Sequence, residues 1–133
     1  WYLRQVEESI MVALRTFGLE TGRVAGLTGV WREDAAGRRK LASIGVHARD
    51  WVTWHGVALN VENDLSTFDH VVPCGIDQVQ MSTVARECAL AGLAVPPFRD
   101  VQQAVADAFA RVFSLTAVES PAAIVTLLQD SAP

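Results

Sequence analysis

The sequence is poor in side chains that can trade a proton. Of its eleven Lys and Arg residues ten are Arg, and Lys40 is the only lysine. Arginine does not release its proton at working pH, so a basic proton shuttle here must be Lys40 or one of the three histidines. Cysteine is scarce too. Two residues, Cys74 and Cys88, are too few for a disulfide framework, and a chain of 133 residues has a core large enough to do without one. This points to a reducing cytoplasm, with a single Cys74 to Cys88 bridge as the less favoured alternative. No apolar run approaches the length of a membrane span, and a net charge of -4 gives no whole-molecule attraction to nucleic acid or an anionic membrane. Neither is expected as a partner.

Several chemical signatures are also missing. There is no Gly-rich phosphate loop, no CxxC or HxxxH pair with metal spacing, and no GxSxG elbow. Nucleotide and zinc chemistry are disfavoured, and neither a metal nor a cofactor is expected. The chain opens on Trp1, without an initiator Met or the charged and apolar regions of a signal peptide, and reads as a fragment or a processed chain.

What is present is a globular balance, half apolar and a fifth charged, at a length that suits a single domain. From Trp1 to about Phe17, Leu3, Val6, Ile10, Val12, Ala13, Leu14 and Phe17 recur at the spacing of one helix face, and Gly18 suits the C-terminal cap. The segments "RVAGLTGVWRE", "KLASIGVHAR" and "WVTWHGVALNVEN", rich in β-branched and aromatic residues, read as strands. The polar "EDAAGRR" between the first two reads as a hairpin loop with Gly37 at a positive φ, so that Lys40 begins the returning strand. Further on, "MSTVARECALAG" predicts a short helix and "FRDVQQAVADAFARVF", after Pro96 and Pro97, a strongly amphipathic one. Helix, strands, then two helices give an α+β class. Residues 114–133 read as an irregular or weakly helical tail.

Cys74 stands in "VVPCGI". Pro73 fixes one backbone angle and Gly75 frees another, so the tripeptide can present a thiol from a sharp bend at a strand end; a buried turn cysteine fits the same residues. Cys88, in "ARECAL", reads as a core residue of a helix. A lysine before an apolar strand, as in "KLASIGV", is most simply an exposed one. His47 and His70 sit in polar surroundings and read as surface residues. His55 in "TWHGVALNV" is flanked by small residues that leave room for a ligand, although a satisfied core histidine is the commoner explanation.

Taken together, "KLASIGV", "TWHGVALNV" and "DLSTFDHVVPCGI", in that order and followed by Ser82-Thr83, resemble the C-terminal half of the octanoyltransferases, the lipoate-protein ligase B family. The resemblance runs from about the first helix to "FARVF". It implies that residues 1–113 are the C-terminal part of one catalytic domain, with a mixed β-sheet flanked by helices as in the biotin/lipoate protein ligase fold. It also implies an acyltransferase that takes octanoyl from octanoyl-acyl carrier protein. The acceptor would be a lysine on the lipoyl domains of 2-oxoacid dehydrogenases or on the glycine cleavage H protein. Cys74 would be the acyl-accepting nucleophile and Lys40 its acid/base partner. Ser43, Ile44 and Gly45, with Gly56, Val57 and Ala58, match positions where the family contacts the acyl substrate. The family's Arg-Gly-Gly run and its Tyr-His-Gly-Pro-Gly-Gln type motif do not occur in this sequence, and where the family usually reads Thr-Ser this chain reads Ser82-Thr83. A non-catalytic fragment lacking half of the substrate pocket is the alternative, and a small hydrolase using Cys74 and His55 a third reading.

Overall fold

The computed structural model describes residues 1–66, 68 and 79–118. Helix α1 (Tyr2–Arg15) turns Val6, Ile10, Met11, Ala13 and Leu14 inward at the predicted spacing. It also buries Glu7 and Ser9, which an apolar pattern does not reveal. Gly18 closes the helix as expected. At φ 77° its N–H reaches the Arg15 carbonyl at 3.0 Å, and Leu19 N–H reaches that of Leu14 at 3.2 Å, the paired bonds of a left-handed helix terminator.

The strands are β1 (Val30–Asp34), β2 (Gly37–Arg49), β3 (Val52–Leu59) and β4 (Gln80–Met81). β2 pairs antiparallel with β1 and β3 and parallel with β4, so the sheet is mixed, as the resemblance implied. The hairpin loop shrinks to Ala35-Ala36, with Gly37 at φ 108° and the Ala36 N–H donating to Asp34. Lys40 is therefore the fourth residue of its strand, not the first. "RVAGLTGVWRE" is the other correction. Only Val30–Asp34 is strand; Gly26 (φ 79°) and Gly29 (φ 130°) bend the preceding chain, which touches the sheet through a single bridge between Gly22 and Trp31.

After β4, helix α2 (Val84–Leu90) is capped by Thr83, whose hydroxyl accepts from Arg86 N–H at 3.1 Å. Helix α3 (Phe98–Val112) starts after Pro97 and packs on α1. Phe113, at its end, lies 5.5 Å from the ring of Tyr2 and 6.0 Å from that of Trp1. The core joins Ile10, Leu14 and Leu19 to Val30 and Leu41 of the sheet and to Val84, Cys88 and Val101 of the later helices. No helix among the described residues is long and apolar enough to cross a membrane. Residues 115–118 carry no regular structure, and the rest of the tail lies outside the described residues.

Candidate active site

The chemistry-bearing residues cluster along β2. Lys40 is 1% exposed, which corrects the reading of an exposed lysine at a strand start. The pairing next to it is irregular. The register slips between Val30 and Trp31, so that Lys40, Leu41 and Ala42 stand opposite only two residues of β1. Such a bulge breaks the in-out alternation of a strand and re-aims side chains, and Arg39 to Ala42 are all buried in succession. The Lys40 ammonium stands 5.1 Å from the centre of the Trp31 ring.

The neighbouring Arg39 is 3% exposed and goes to other partners. It donates two bonds to Glu87 of α2, at 2.7 and 2.9 Å, and two to Asp34, at 3.0 and 2.6 Å. These bonds drive the Arg39 pKa further up and, with the Ala36 N–H, hold the Asp34 carboxyl down at about 2. Burial alone would raise Glu87, but hydrogen bonds from Arg39 and Ser82 outweigh it and leave the carboxyl below its usual range. Ser82 ties this network to the lysine. Its hydroxyl donates to Glu87 at 2.5 Å and its N–H to the Lys40 carbonyl at 2.9 Å. The Ser82-Thr83 hydroxyls thus have partners inside this chain, one on Glu87 and one as a helix cap.

The six residues matched to acyl contacts come together in a single patch. Ser43 pairs with Ala58, Ile44 with Val57 and Gly45 with Gly56, so the two tripeptides face each other across β2 and β3. Ser43 and Ile44 are half-buried, while Gly45, Gly56, Val57 and Ala58 are exposed. Beyond the patch the two strands run on as a hairpin to a tight turn in which Asp50 and Trp51 both have positive φ. His55 lies there with φ 70°, exposed on β3 and paired with Val46, which overturns the core-histidine reading. His47 is on the surface as expected, stacked 4.5 Å from the ring of Trp54.

Cys74 and His70 lie outside the described residues, as do residues 69–78 as a whole. A cleft of about 610 Å³ lies beside that segment's two ends, between Asp64–Ser66 with Phe68 on one side and Val79–Met81 with Arg86 on the other. Met81, one of the residues that line it, is the β4 partner of Lys40. Cys88, by contrast, is a free thiol buried in the core, and burial, helped by the Glu87 carboxylate, pushes its pKa up. It is placed to pack rather than to react. Among the described residues no group of three or more His, Cys, Asp and Glu side chains is arranged to hold a metal ion.

Three residues of this site escaped the sequence reading: Glu7, Arg39 and Glu87. A carboxylate on an otherwise apolar helix face was the available signal for the first and last, since such a residue is rarely fully buried without a partner.

Comparison with known proteins agrees with this architecture. The octanoyltransferase of Thermosynechococcus vestitus is 45% identical over 115 residues, covering 86% of this chain and 47% of that protein. The octanoyltransferase of Myxococcus xanthus is 39% identical over 122 residues, covering 90% of this chain and 33% of its own length. The chain thus spans about half the length, or less, of these curated relatives. Among solved structures, a chain from the study of an archaeal lipoylation system, a bi-partite lipoate protein ligase and its E2 lipoyl domain from Thermoplasma acidophilum, superimposes with a TM-score of 0.70. The match covers 97% of this chain and 52% of that one, and at 16% identity it speaks for the fold alone. The family described as the lipoyl protein ligase A/B catalytic domain matches residues 1–110, and the chain belongs to it.

Proposed function

We propose that this chain carries the cysteine and lysine of an octanoyltransferase that works on lipoyl domains. Cys74 is the acyl-accepting nucleophile and Lys40 the acid/base group. The observation that carries the reading is Lys40. The chain's only lysine is fully buried on a bulged strand, three residues before the Ser43–Gly45 patch that faces Gly56–Ala58. A surface lysine has no need of such a setting, and a proton shuttle does.

The chemistry follows from ordinary acidities. A free thiol titrates near about 8.5 and lysine near about 10.4, so a lysine ammonium close to the thiol favours the thiolate. The thiolate attacks the carbonyl of octanoyl-acyl carrier protein, the new C–S bond forms, the bond to the carrier sulfur breaks, and Lys40 hands its proton to the departing carrier thiolate. In the second half, the amine of a lipoyl-domain lysine attacks the Cys74 thioester. Lys40, now neutral, takes the proton that the amine loses, and Cys74 leaves as thiolate. The first exchange is nearly balanced and aminolysis of a thioester runs downhill, so neither step needs ATP. Backbone amides that stabilise the oxyanion contribute about 3 kcal/mol each in good cases.

Ser43, Ile44, Gly45, Gly56, Val57 and Ala58 would contact the octanoyl chain in this reading. Residues 1–113 act as one catalytic unit, with the following residues as a tail.

The test is intact-mass analysis after mixing the protein with octanoyl-acyl carrier protein. One octanoyl adduct, labile to hydroxylamine and lost in Cys74→Ala, is expected. An adduct that survives this change or maps to Cys88 sinks the assignment.

A second reading rests on a specific observation. Four of the six patch residues are exposed, so the described residues leave the acyl patch open on one side. In that reading the isolated chain is a non-catalytic fragment with binding or structural behaviour. Transfer would then appear only when the chain is combined with the part of the Thermosynechococcus vestitus octanoyltransferase that it does not match. Full transfer by the chain alone, as a stable monomer, excludes this second reading.

A further inference from the structure

Gly29 and Trp31 close on Lys40 from one short stretch of chain. A Cβ built on Gly29 would stand 2.7 Å from the Lys40 Cε and 2.4 Å from the Ala42 carbonyl oxygen. At no other described glycine would an added Cβ come closer than 3.4 Å to a neighbour beyond the adjoining residues. Gly29 also sits at φ 130°, where L side chains are rarely found, so both its space and its backbone angle call for glycine. Its position is held from behind. The N–H of Gly29 donates to the Glu7 carboxylate at 3.0 Å, and Glu7, fully buried on α1, is fixed in turn by Arg4 at 2.7 Å and Arg23 at 3.0 Å. Two residues later the Trp31 ring, 2% exposed, lies 5.1 Å from the Lys40 ammonium.

We propose that Gly29 and Trp31 form a clamp that aims the Lys40 side chain, and that Trp31 is a positioning residue for the lysine's acid/base work. The proposal rests on the reading of Lys40 given above and adds two residues to it. An indole face suits this task because it attracts the ammonium without being able to take its proton. Lys40 can then give up a proton and recover it while its stem stays pinned between the Gly29 backbone and the ring. A lysine that served only to fill the core would need neither the glycine nor the ring, since an apolar side chain packs there at lower desolvation cost.

A chain with a single lysine gives a direct test. Lysine-selective isotope labelling produces one set of side-chain NMR signals. In the unaltered chain the Lys40 ε-protons should be shifted upfield by the indole ring current and show through-space contacts to the Trp31 ring. This measurement needs no variant. Trp31→Leu should return the signals toward those of an unfolded-peptide lysine, Trp31→Phe should retain part of the shift, and Gly29→Ala should displace them with the ring still present. In the preparation that transfers octanoyl, Trp31→Leu should slow transfer roughly tenfold, in line with one desolvated cation–π contact, and move the pH profile toward lower pH. Trp31→Phe should restore most of both.

Unshifted ε-protons in the unaltered chain, or signals and a pH profile unmoved by Trp31→Leu, overturn the clamp while leaving the Cys74 and Lys40 reading intact. Full transfer by Lys40→Arg overturns that reading, and with it the clamp's purpose, even if the NMR contact is present.

Discussion

The two halves of β2 invert the usual rule of what a protein hides. At its start Arg39 and Lys40, both charged, are buried; further along, Gly45, His47, Ala48 and Arg49 are exposed together with the β3 residues that pair with them. Apolar groups share that exposure, with Val52 at 61% and the turn residue Trp51 fully solvated. Arg39 is satisfied from within this chain by Glu87 of α2 and Asp34 of β1, and the Lys40 ammonium faces the Trp31 ring. The hairpin half has no such cover among the described residues. Buried charge persists only where its partners are in place, whereas exposed apolar side chains contribute little to folding and need none.

The sharpest way to break this contrast is at Lys40, the acid/base group proposed above. Lys40→Arg keeps the charge but removes an exchangeable proton, and should lower octanoyl transfer by about 10²–10⁴-fold while formation of the acyl-enzyme persists at a reduced rate. Single-turnover measurement of the two half-reactions separates them; unchanged turnover removes Lys40 from the mechanism.

Next in size is Arg39→Ala. It strands the Glu87 carboxylate in the core and should cost about 3–5 kcal/mol in urea unfolding, enough to threaten the fold. A cost under about 1 kcal/mol would show that the network is looser than its bond lengths imply.

Acid should reach the same network gradually. Asp34 sits at about 2 in the folded chain against an ordinary 3.8, so its contribution is complete above pH 3.8 and is lost as the pH falls through about 2. Glu87 is shifted in the same direction. Stability should therefore decline on acidification from near pH 4 toward pH 2, and Asp34→Asn should flatten part of that slope. Thermal melts at successive pH values read both.

The smallest effect belongs to the hairpin tip. Trp51→Ser and Val52→Thr should change stability by no more than about 0.5 kcal/mol, since neither side chain is buried. Both should reduce self-association in sedimentation runs if the exposed apolar surface drives it. A destabilisation of the Arg39→Ala size would show that the hairpin folds back on something.

The helices, the α+β order and the Gly37 hairpin were legible in the sequence because their signals are local. A 3.6-residue period, a proline at a helix start and a glycine at a turn each act within a few residues. The segment before Val30 was misread as strand because its β-branched and aromatic residues outweighed two glycines whose positive φ values break extended pairing. Lys40 was noticed for its rarity and Cys74 for its neighbours. The two tripeptides proposed to contact the acyl chain were singled out from resemblance alone.

The amino-acid sequence by itself determined which residue types are available for proton transfer, the positions of the helices, and the membership of two tripeptides in successive strands. Only the tertiary structure decided that those tripeptides register against each other, that Lys40 lies below the surface beside the Trp31 ring, and that Arg39 finds Glu87 across 48 residues of chain. The reason is the range of the forces involved. Periodicity and turn chemistry are written in neighbouring residues, but the burial of a charge depends on partners brought together from distant parts of the chain. No local pattern announces them until the sheet has formed and α2 has packed against it.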